Sequence, residues 1–425
     1  MKTAVIGAGW AGCAAAVEAT RLGQQVTIFE AIRTPGGRAR RVDSHLPDGT
    51  PLALDNGQHI LIGAYSETLR LMADLGIDTK AAMLRLPLRM QFPDGTGLRL
   101  PRLPTPLDAL VGILLARGWS WQDKKSLLRT AAGWQSGGFA CAPELSVAQV
   151  CDGLTPTVMA ALIEPLCVSA LNTPADQASA QVFLRVMQDA LFSQSGGSNL
   201  LLPRVDLSAL LPDAALAWLA RQGGEVRLMQ RVASLAAEGA GWQIDGAVFD
   251  RVILACRPTE AVRLVQTCGV PCEAWLAQTR ALTYEAITTV YAFLPGARLA
   301  QPMLALPASA TDGGAPAQFV FDRGQLGGLA GLLAFVVSAS NGHSAVLTTQ
   351  VLAQADKQLG LAGLQPVQTI VEKRATFACL PGMQRPGARV LPGLLACGDY
   401  VDGPYPATLE GAVRSGLQAA RNATE

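Results

Sequence analysis

Charge is scarce in this 425-residue chain. Asp, Glu, Lys and Arg make up 16% of it, and the formal net charge is +1. That balance excludes the basic face that a nucleic-acid-binding surface needs. Histidine is scarcer still, with His45, His59 and His343 the complete set. The nine cysteines form no Cys-x-x-Cys pair, and the closest two, Cys268 and Cys272, have no histidine nearby. No metal site is expected from such a set. Scattered cysteines without a recognisable export signal point to a reducing cytoplasm. Met1-Lys2 and the apolar residues after it could open a signal peptide, but the early glycines, Trp10, Glu18 and Arg21 interrupt any apolar core for one. Long apolar runs are missing too. The longest candidates, Ala109–Ala116 and Leu329–Val337, fall well short of the roughly 20 residues of a spanning helix.

What is present is apolar bulk and glycine. Half of the residues are hydrophobic and the mean hydropathy is +0.27. The length suits two domains sharing a large core. Residues 4–12 read Ala-Val-Ile-Gly-Ala-Gly-Trp-Ala-Gly, and Glu30 is the last residue of the next predicted strand, Gln25–Glu30. Strand, glycine loop, helix, strand and acid in that order make a dinucleotide fingerprint. Gly7 makes the tight turn and Gly9 lets backbone amides, with that of Ala11, approach a pyrophosphate. Gly12 lets the helix pack on the strand, and the helix N-terminus faces the phosphates. The Glu30 carboxylate suits the two hydroxyls of an adenosine ribose and would repel a 2′-phosphate.

A second glycine loop follows, with Gly36, Gly37 and Arg38 ahead of Arg40 and Arg41. It can approach phosphates and neutralise them. Near the other end of the chain, Leu394-Leu-Ala-Cys-Gly398-Asp399 reads as a short strand ending in a turn. A helix over 408–420 follows it, with small residues on one surface. These blocks resemble the FAD-binding domain of the large flavoprotein superfamily that contains amine oxidases, protoporphyrinogen oxidase and phytoene desaturases. The resemblance implies an α/β fold: a Rossmann-like FAD-binding domain of the glutathione-reductase type, with an inserted α+β substrate domain. It implies that Asp399 meets the ribityl or phosphate region of the flavin. It places Thr408 at a helix N-terminus aimed at the ring, and the backbone of Val232 against the adenine.

The FAD domain is expected in three parts, residues 1–85, 196–256 and 391–425. The substrate domain is expected in two, residues 86–195 and 257–390. Within it, Thr105-Pro-Leu-Asp108 reads as a cap ahead of a helix over 107–117 with an apolar stripe. Trp119, Trp121, Lys124, Lys125 and Arg129 follow, with Ser120 and Asp123 as a second cap pair. Two readings stand for this segment: a peripheral contact with a membrane surface, on its cytoplasmic side, or a helix packed on the core.

Residues 55–65, Asp-Asn-Gly-Gln-His-Ile-Leu-Ile-Gly-Ala-Tyr, and residues 406–416, Pro-Ala-Thr-Leu-Glu-Gly-Ala-Val-Arg-Ser-Gly, narrow the resemblance. They look like the squalene-associated FAD-dependent desaturases, the hydroxysqualene dehydroxylases of bacterial hopanoid biosynthesis. The resemblance spans the chain, but its middle third is recognised mainly by order and composition. It implies FAD as cofactor, Gly57 beside the flavin, and an external reductant. The substrate it implies is a long-chain isoprenoid, hydroxysqualene, whose hydroxyl is replaced by hydride. His59, Tyr65, Tyr400 and Tyr405 are the candidates to assist the leaving hydroxyl. Tyr400 and Tyr405 stand where the resemblance leads one to expect tryptophan. Three rivals remain: a carotenoid-type desaturase, an amine oxidase, and a non-catalytic isoprenoid-binding protein. The lack of any lysine between Lys125 and Lys357 counts against the amine oxidase. The kept fingerprint counts against the non-catalytic protein.

Overall fold

A computed structural model describes residues 1–308 and 314–422. In chain order, the elements used below begin with β1 (Lys2–Ile6), α1 (Trp10–Arg21) and β2 (Gln25–Phe29). Two helices follow in the middle, α2 (Leu107–Leu114) and α3 (Trp121–Ser136), then strands β3 (Glu225–Arg227) and β4 (Arg251–Leu254). The second half contributes β5 (Tyr284–Phe293), β6 (Met303–Ala305), β7 (Phe319–Asp322) and β8 (Leu332–Ser338). The chain closes with α4 (Ser344–Leu359), β9 (Gln365–Phe377), β10 (Arg389–Leu391), β11 (Leu394–Ala396) and α5 (Leu409–Asn422).

The first sheet runs β3-β2-β1-β4-β11-β10, parallel except for the edge strand β10. Its central strands are fully buried, which is why 3–6 and 252–254 are continuous apolar runs apart from Thr3. Crossover helix α1 lies on one face, and α5 packs against it from the far end of the chain. The small residues are what allow that approach. A Cβ on Gly416 of α5 would sit 2.1 Å from the Ala11 carbonyl oxygen, and one on Gly12 would sit 1.9 Å from that of Gly7.

The second sheet, β6-β7-β8-β5-β9, is antiparallel. One face carries Val290, Ala292, Val320, Leu333 and Phe335, which pack with Val351 and Ala355 of α4. The opposite face carries Tyr291, Phe319, Phe321, Ala334 and Val336, and it belongs to the main core. This second face looks toward residues 55–59, because the Tyr291 hydroxyl donates to the Asp55 carbonyl at 2.9 Å.

Several local expectations are corrected. Pro106 stands at the N-cap of α2 after a cis Thr105–Pro106 bond, and no side chain caps that helix. The helix ends at Leu114 and not Arg117, and Gly118 turns the chain at φ +77. The Ser120/Asp123 capping box of α3 is present. The run Glu225–Val232 reads in sequence as one strand, but β3 stops at Arg227, because Met229 takes a positive φ of 58. Phe249 belongs to a separate three-stranded meander, so β4 begins at Arg251.

Candidate functional site

The first loop of the site is a backbone cradle. Gly7 has φ +113, and a Cβ there would lie 2.7 Å from the Ala255 carbonyl oxygen. Gly9 is the N-cap of α1 with no side-chain cap, and Ala11 and Gly12 are buried in the first turn. The leading N–H groups of α1 therefore have no acceptor in the helix, which is the arrangement that binds phosphate. The Glu30 carboxylate braces the loop, accepting from Ala8 N at 2.8 Å and Ile32 N at 3.1 Å. The second loop is tied to the first, since Gly36 N donates to the Ala8 carbonyl at 2.9 Å. Gly37, at φ +64, comes so close that its Cβ would be 3.3 Å from Gly9 Cα. Two side-chain-free backbones thus lie against each other, with no Cβ at Gly9 or Gly37 to part them or to cover their exposed edge.

Arg38 reaches from this loop across the molecule. It donates to Asp399 Oδ1 at 2.5 Å and to the Ala375 carbonyl at 2.7 Å. Burial works against its charge, but the Asp399 carboxylate outweighs burial and holds its pKa above the ordinary value. Gly398 N donates to Ser415 Oγ at 3.1 Å, which fixes Asp399 over α5. Thr408 caps α5, accepting from Gly411 N at 2.9 Å. Val232 is buried, and its carbonyl accepts from Arg263 at 2.7 Å.

The four candidates for hydroxyl chemistry have different surroundings. Tyr65 is the N-cap of the helix over 66–74, and burial pushes its pKa far up, with the Glu410 charge adding to it. The Tyr405 hydroxyl donates to Asp189 at 2.7 Å, with Arg185 and Arg414 against its ring. Tyr400 is buried, its hydroxyl has no partner among the described residues, and burial pushes its pKa far up. His59 Nδ1 lies 2.9 Å from the Gly57 carbonyl oxygen. A carbonyl only accepts, so Nδ1 carries the hydrogen and Nε2 presents a lone pair. Burial lowers the His59 pKa and the Arg38 charge adds to the effect, so the ring is neutral near pH 7. It accepts a hydrogen bond at Nε2 far more readily than it donates a proton there.

Asp55 and Asn56 belong to the block that carries the resemblance, but the sequence assigned them no role. Asp55 accepts from Leu207 N at 2.8 Å, and Arg323 stands 3.9 Å away. Asn56 donates to Glu372 at 3.2 Å, and Arg257 pairs with the same carboxylate. Thr289 and Gln58 flank Gly57. The alternation of β5 could have placed Thr289 on the Tyr291 face, but nothing in the sequence ties that face to Gly57.

On the surface, the two tryptophans part company. Trp119 is 8% exposed and Trp121 is 74%. Asp108 and Ile113 turn inward, while Leu107 at 52%, Leu110 at 42% and Leu115 at 69% point outward. Lys124 lies 5.3 Å above the Trp121 ring. No helix among the described residues is long and apolar enough to cross a membrane.

Residues 10–424 match the family described as flavin containing amine oxidoreductase. The chain belongs to this family. It is accordingly a flavin-dependent oxidoreductase with the Rossmann-like architecture of that family. The chain is 29% identical to a hydroxysqualene dehydroxylase of Rhodopseudomonas palustris, over 98% of this chain and 96% of the relative. It is 27% identical to one of Sinorhizobium fredii, over the same shares. Among solved structures, an oxidoreductase from Methanosarcina mazei superposes with TM-score 0.72 at 17% identity, covering 99% of this chain and 100% of the other. Putrescine oxidase bound to putrescine superposes with TM-score 0.66 at 16% identity, covering 99% of each chain. The open backbone of the cradle and the Arg38–Asp399 ion pair fit the phosphates and ribityl chain of a flavin dinucleotide.

Asp55 yields a test. Burial raises its pKa to about 6 from 3.8, against the opposing pull of Arg323 and Leu207 N–H. Between those values the folded state binds more protons than the unfolded state, so this group's contribution to stability falls as pH rises from about 4 to about 6 and is flat above. Asp55→Asn removes that dependence. The stability of wild type relative to D55N, from urea unfolding, should drop by about 3 kcal/mol across that window. Parallel pH profiles contradict it.

Proposed function

We propose that this protein is an FAD-dependent hydroxysqualene dehydroxylase, releasing squalene for squalene and hopanoid synthesis. The observation that carries the reading is similarity over nearly full length to curated relatives of that name. The site's chemistry supports it. The face of the second sheet near Gly57 carries Phe319, Phe321, Ala334, Val336 and Ile370, and the two carboxylates beside it are engaged, Asp55 by Arg323 and Glu372 by Asn56 and Arg257. Such a wall suits a hydrocarbon chain.

In this reading Glu30 takes the ribose hydroxyls, and Gly7, Gly9, Ala11, Gly12, Gly36 and Gly37 admit the pyrophosphate. Arg38 and Asp399 hold the phosphate and ribityl region, the Val232 backbone meets the adenine, and Thr408 and Gly57 border the ring. Reduced FAD supplies the hydride that replaces the allylic hydroxyl. The hydroxyl departs as hydroxide and ends as water after taking one proton. Tyr405 already spends its hydroxyl on Asp189, so it positions its loop, and buried Tyr65 stays protonated. Tyr400 stays protonated and free to donate, and neutral His59 offers an acceptor. The chain carries one dinucleotide fingerprint, so an external reductant supplies the electrons. The five-segment division into FAD and substrate parts is kept in this reading, and so are the absence of a metal and of a nucleic-acid partner.

The test is direct. Reduced anaerobically and given hydroxysqualene, the holoprotein should form squalene as its flavin reoxidises. Formation of a more unsaturated product from squalene or phytoene, with hydroxysqualene untouched, contradicts the reading in favour of a desaturase.

We also place the α2 surface on lipid, at the cytoplasmic face of the membrane. Leu107, Leu110, Leu115 and Trp121 form the apolar part, and Lys124 and Lys125 flank it with positive charge. The proposed substrate partitions into the same bilayer. Replacing Leu107, Leu115 and Trp121 together by Ser should release the protein from vesicles of phosphatidylethanolamine and phosphatidylglycerol at least ~5-fold with flavin retained. Trp119→Ser, a core change, should lower stability instead. Unchanged vesicle binding by the triple variant refutes the contact.

A further inference from the structure

A hydroxyl without a partner among the described residues stands on the largely apolar face of the second sheet. Thr289 is 1% exposed, and its ladder neighbours are Val336 on β8 and Ile370 on β9. It shares the face of Tyr291, whose hydroxyl reaches Asp55. Its Oγ1 has no hydrogen-bond partner among the described residues. The adjacent Thr288 is satisfied by Ser340 at 2.9 Å, so the lack is particular to Thr289. Gln58 Nε2, one residue from Gly57, is also buried without a partner. A buried hydroxyl left alone is unfavourable, and native structures seldom keep one without a ligand or water to meet it.

The geometry says where that ligand would sit. A Cβ placed on Gly57 would have Thr289 Oγ1 and His59 Cε1 each 3.8 Å away. Gly57 supplies no side chain there, so the threonine hydroxyl and the imidazole edge border one small gap. The two groups differ in what they offer. His59 Nδ1–H is spent on Gly57, so Nε2 only accepts. Thr289 Oγ1 donates as well as accepts. An alcohol needs that complement, a donor to its oxygen and an acceptor for its hydrogen.

We propose that Thr289 and His59 together recognise the substrate's hydroxyl group, with Thr289 the specificity-determining member. This rests on the dehydroxylase reading above. The Thr289 O–H donates to the substrate oxygen, and the substrate O–H donates to His59 Nε2. As the carbon–oxygen bond lengthens, charge grows on the oxygen and the Thr289 hydrogen bond strengthens. Thr289 keeps its proton throughout. The hydrocarbon product has no oxygen, so it leaves both groups unpaired and is held less tightly than the alcohol. Selection of alcohol over product and release of product then share one cause.

The test uses oxidised holoprotein in detergent micelles, with binding of hydroxysqualene and of squalene read from perturbation of the flavin absorbance band. Wild type should bind hydroxysqualene at least about tenfold more tightly than squalene. Thr289→Val, which keeps the shape and loses the hydroxyl, should cut that preference about fivefold, by weakening hydroxysqualene, tightening squalene or both, with flavin content unchanged. Thr289→Ser should restore it. A preference in T289V equal to wild type overturns the assignment and leaves the dehydroxylase reading standing. Loss of flavin or a shifted flavin spectrum in T289V, restored in T289S, makes the threonine a cofactor contact and also overturns it. A wild type that binds squalene but not hydroxysqualene overturns both.

Discussion

Close backbone approach at a few glycines is the constraint on which the rest depends. The first loop, helix α1 and helix α5 come from opposite ends of the chain, and they pack with no Cβ between them at Gly12 and Gly416. Gly411 does the same for the loop over 398–408, since a Cβ there would lie 1.8 Å from the Tyr405 carbonyl oxygen. In an ordinary helix interior alanine is favoured over glycine by about 1 kcal/mol. Here the added methyl would overlap backbone oxygen, and overpacking of that kind costs more, about 1–3 kcal/mol. The sign is thus reversed, and glycine is required by space. Once the two ends are locked, Arg38 and Asp399 meet across 361 positions of sequence.

The second sheet works by contrast. Its face toward α4 is sealed by apolar packing, and its other face is apolar yet turned to the segment 55–59. Charges near that segment are paired off to the side: Asp55 with Arg323, and Glu372 with Arg257 and Asn56. What remains next to Gly57 is neutral, namely an imidazole held unprotonated by burial and a threonine hydroxyl. In a poorly solvated site, neutral dipoles can grip an uncharged alcohol without the large desolvation penalty that an ion brings.

Much of the cofactor half was legible in the sequence because it is backbone chemistry. Positive φ and close approach demand glycine at Gly7, Gly12, Gly36 and Gly37, and the acid at Glu30 stands where the strand ends. The short strand before Gly398-Asp399 was legible for the same reason. The substrate half was less so. The apolar stripe over 107–115 fits either a core or an exposed face, and periodicity cannot tell them apart. The fold decides by burying Asp108 and Ile113 and turning the leucines out. The paired tryptophans looked alike and are not. Thr289 was invisible, because its role depends on a strand register that brings it to a glycine 232 positions earlier in the chain.

The central claim is a reductive step in which hydride takes the place of the hydroxyl at a neutral, apolar site. Isotope placement tests it most directly. The holoprotein is exchanged into D2O and photoreduced without oxygen, so that the transferable hydrogen on the reduced flavin is deuterium, and is then mixed with hydroxysqualene. The account predicts squalene carrying one deuterium, on the carbon that bore the oxygen, in an amount matching the reduced flavin. Squalene without deuterium, or reduced flavin that persists beside unchanged hydroxysqualene, would contradict it.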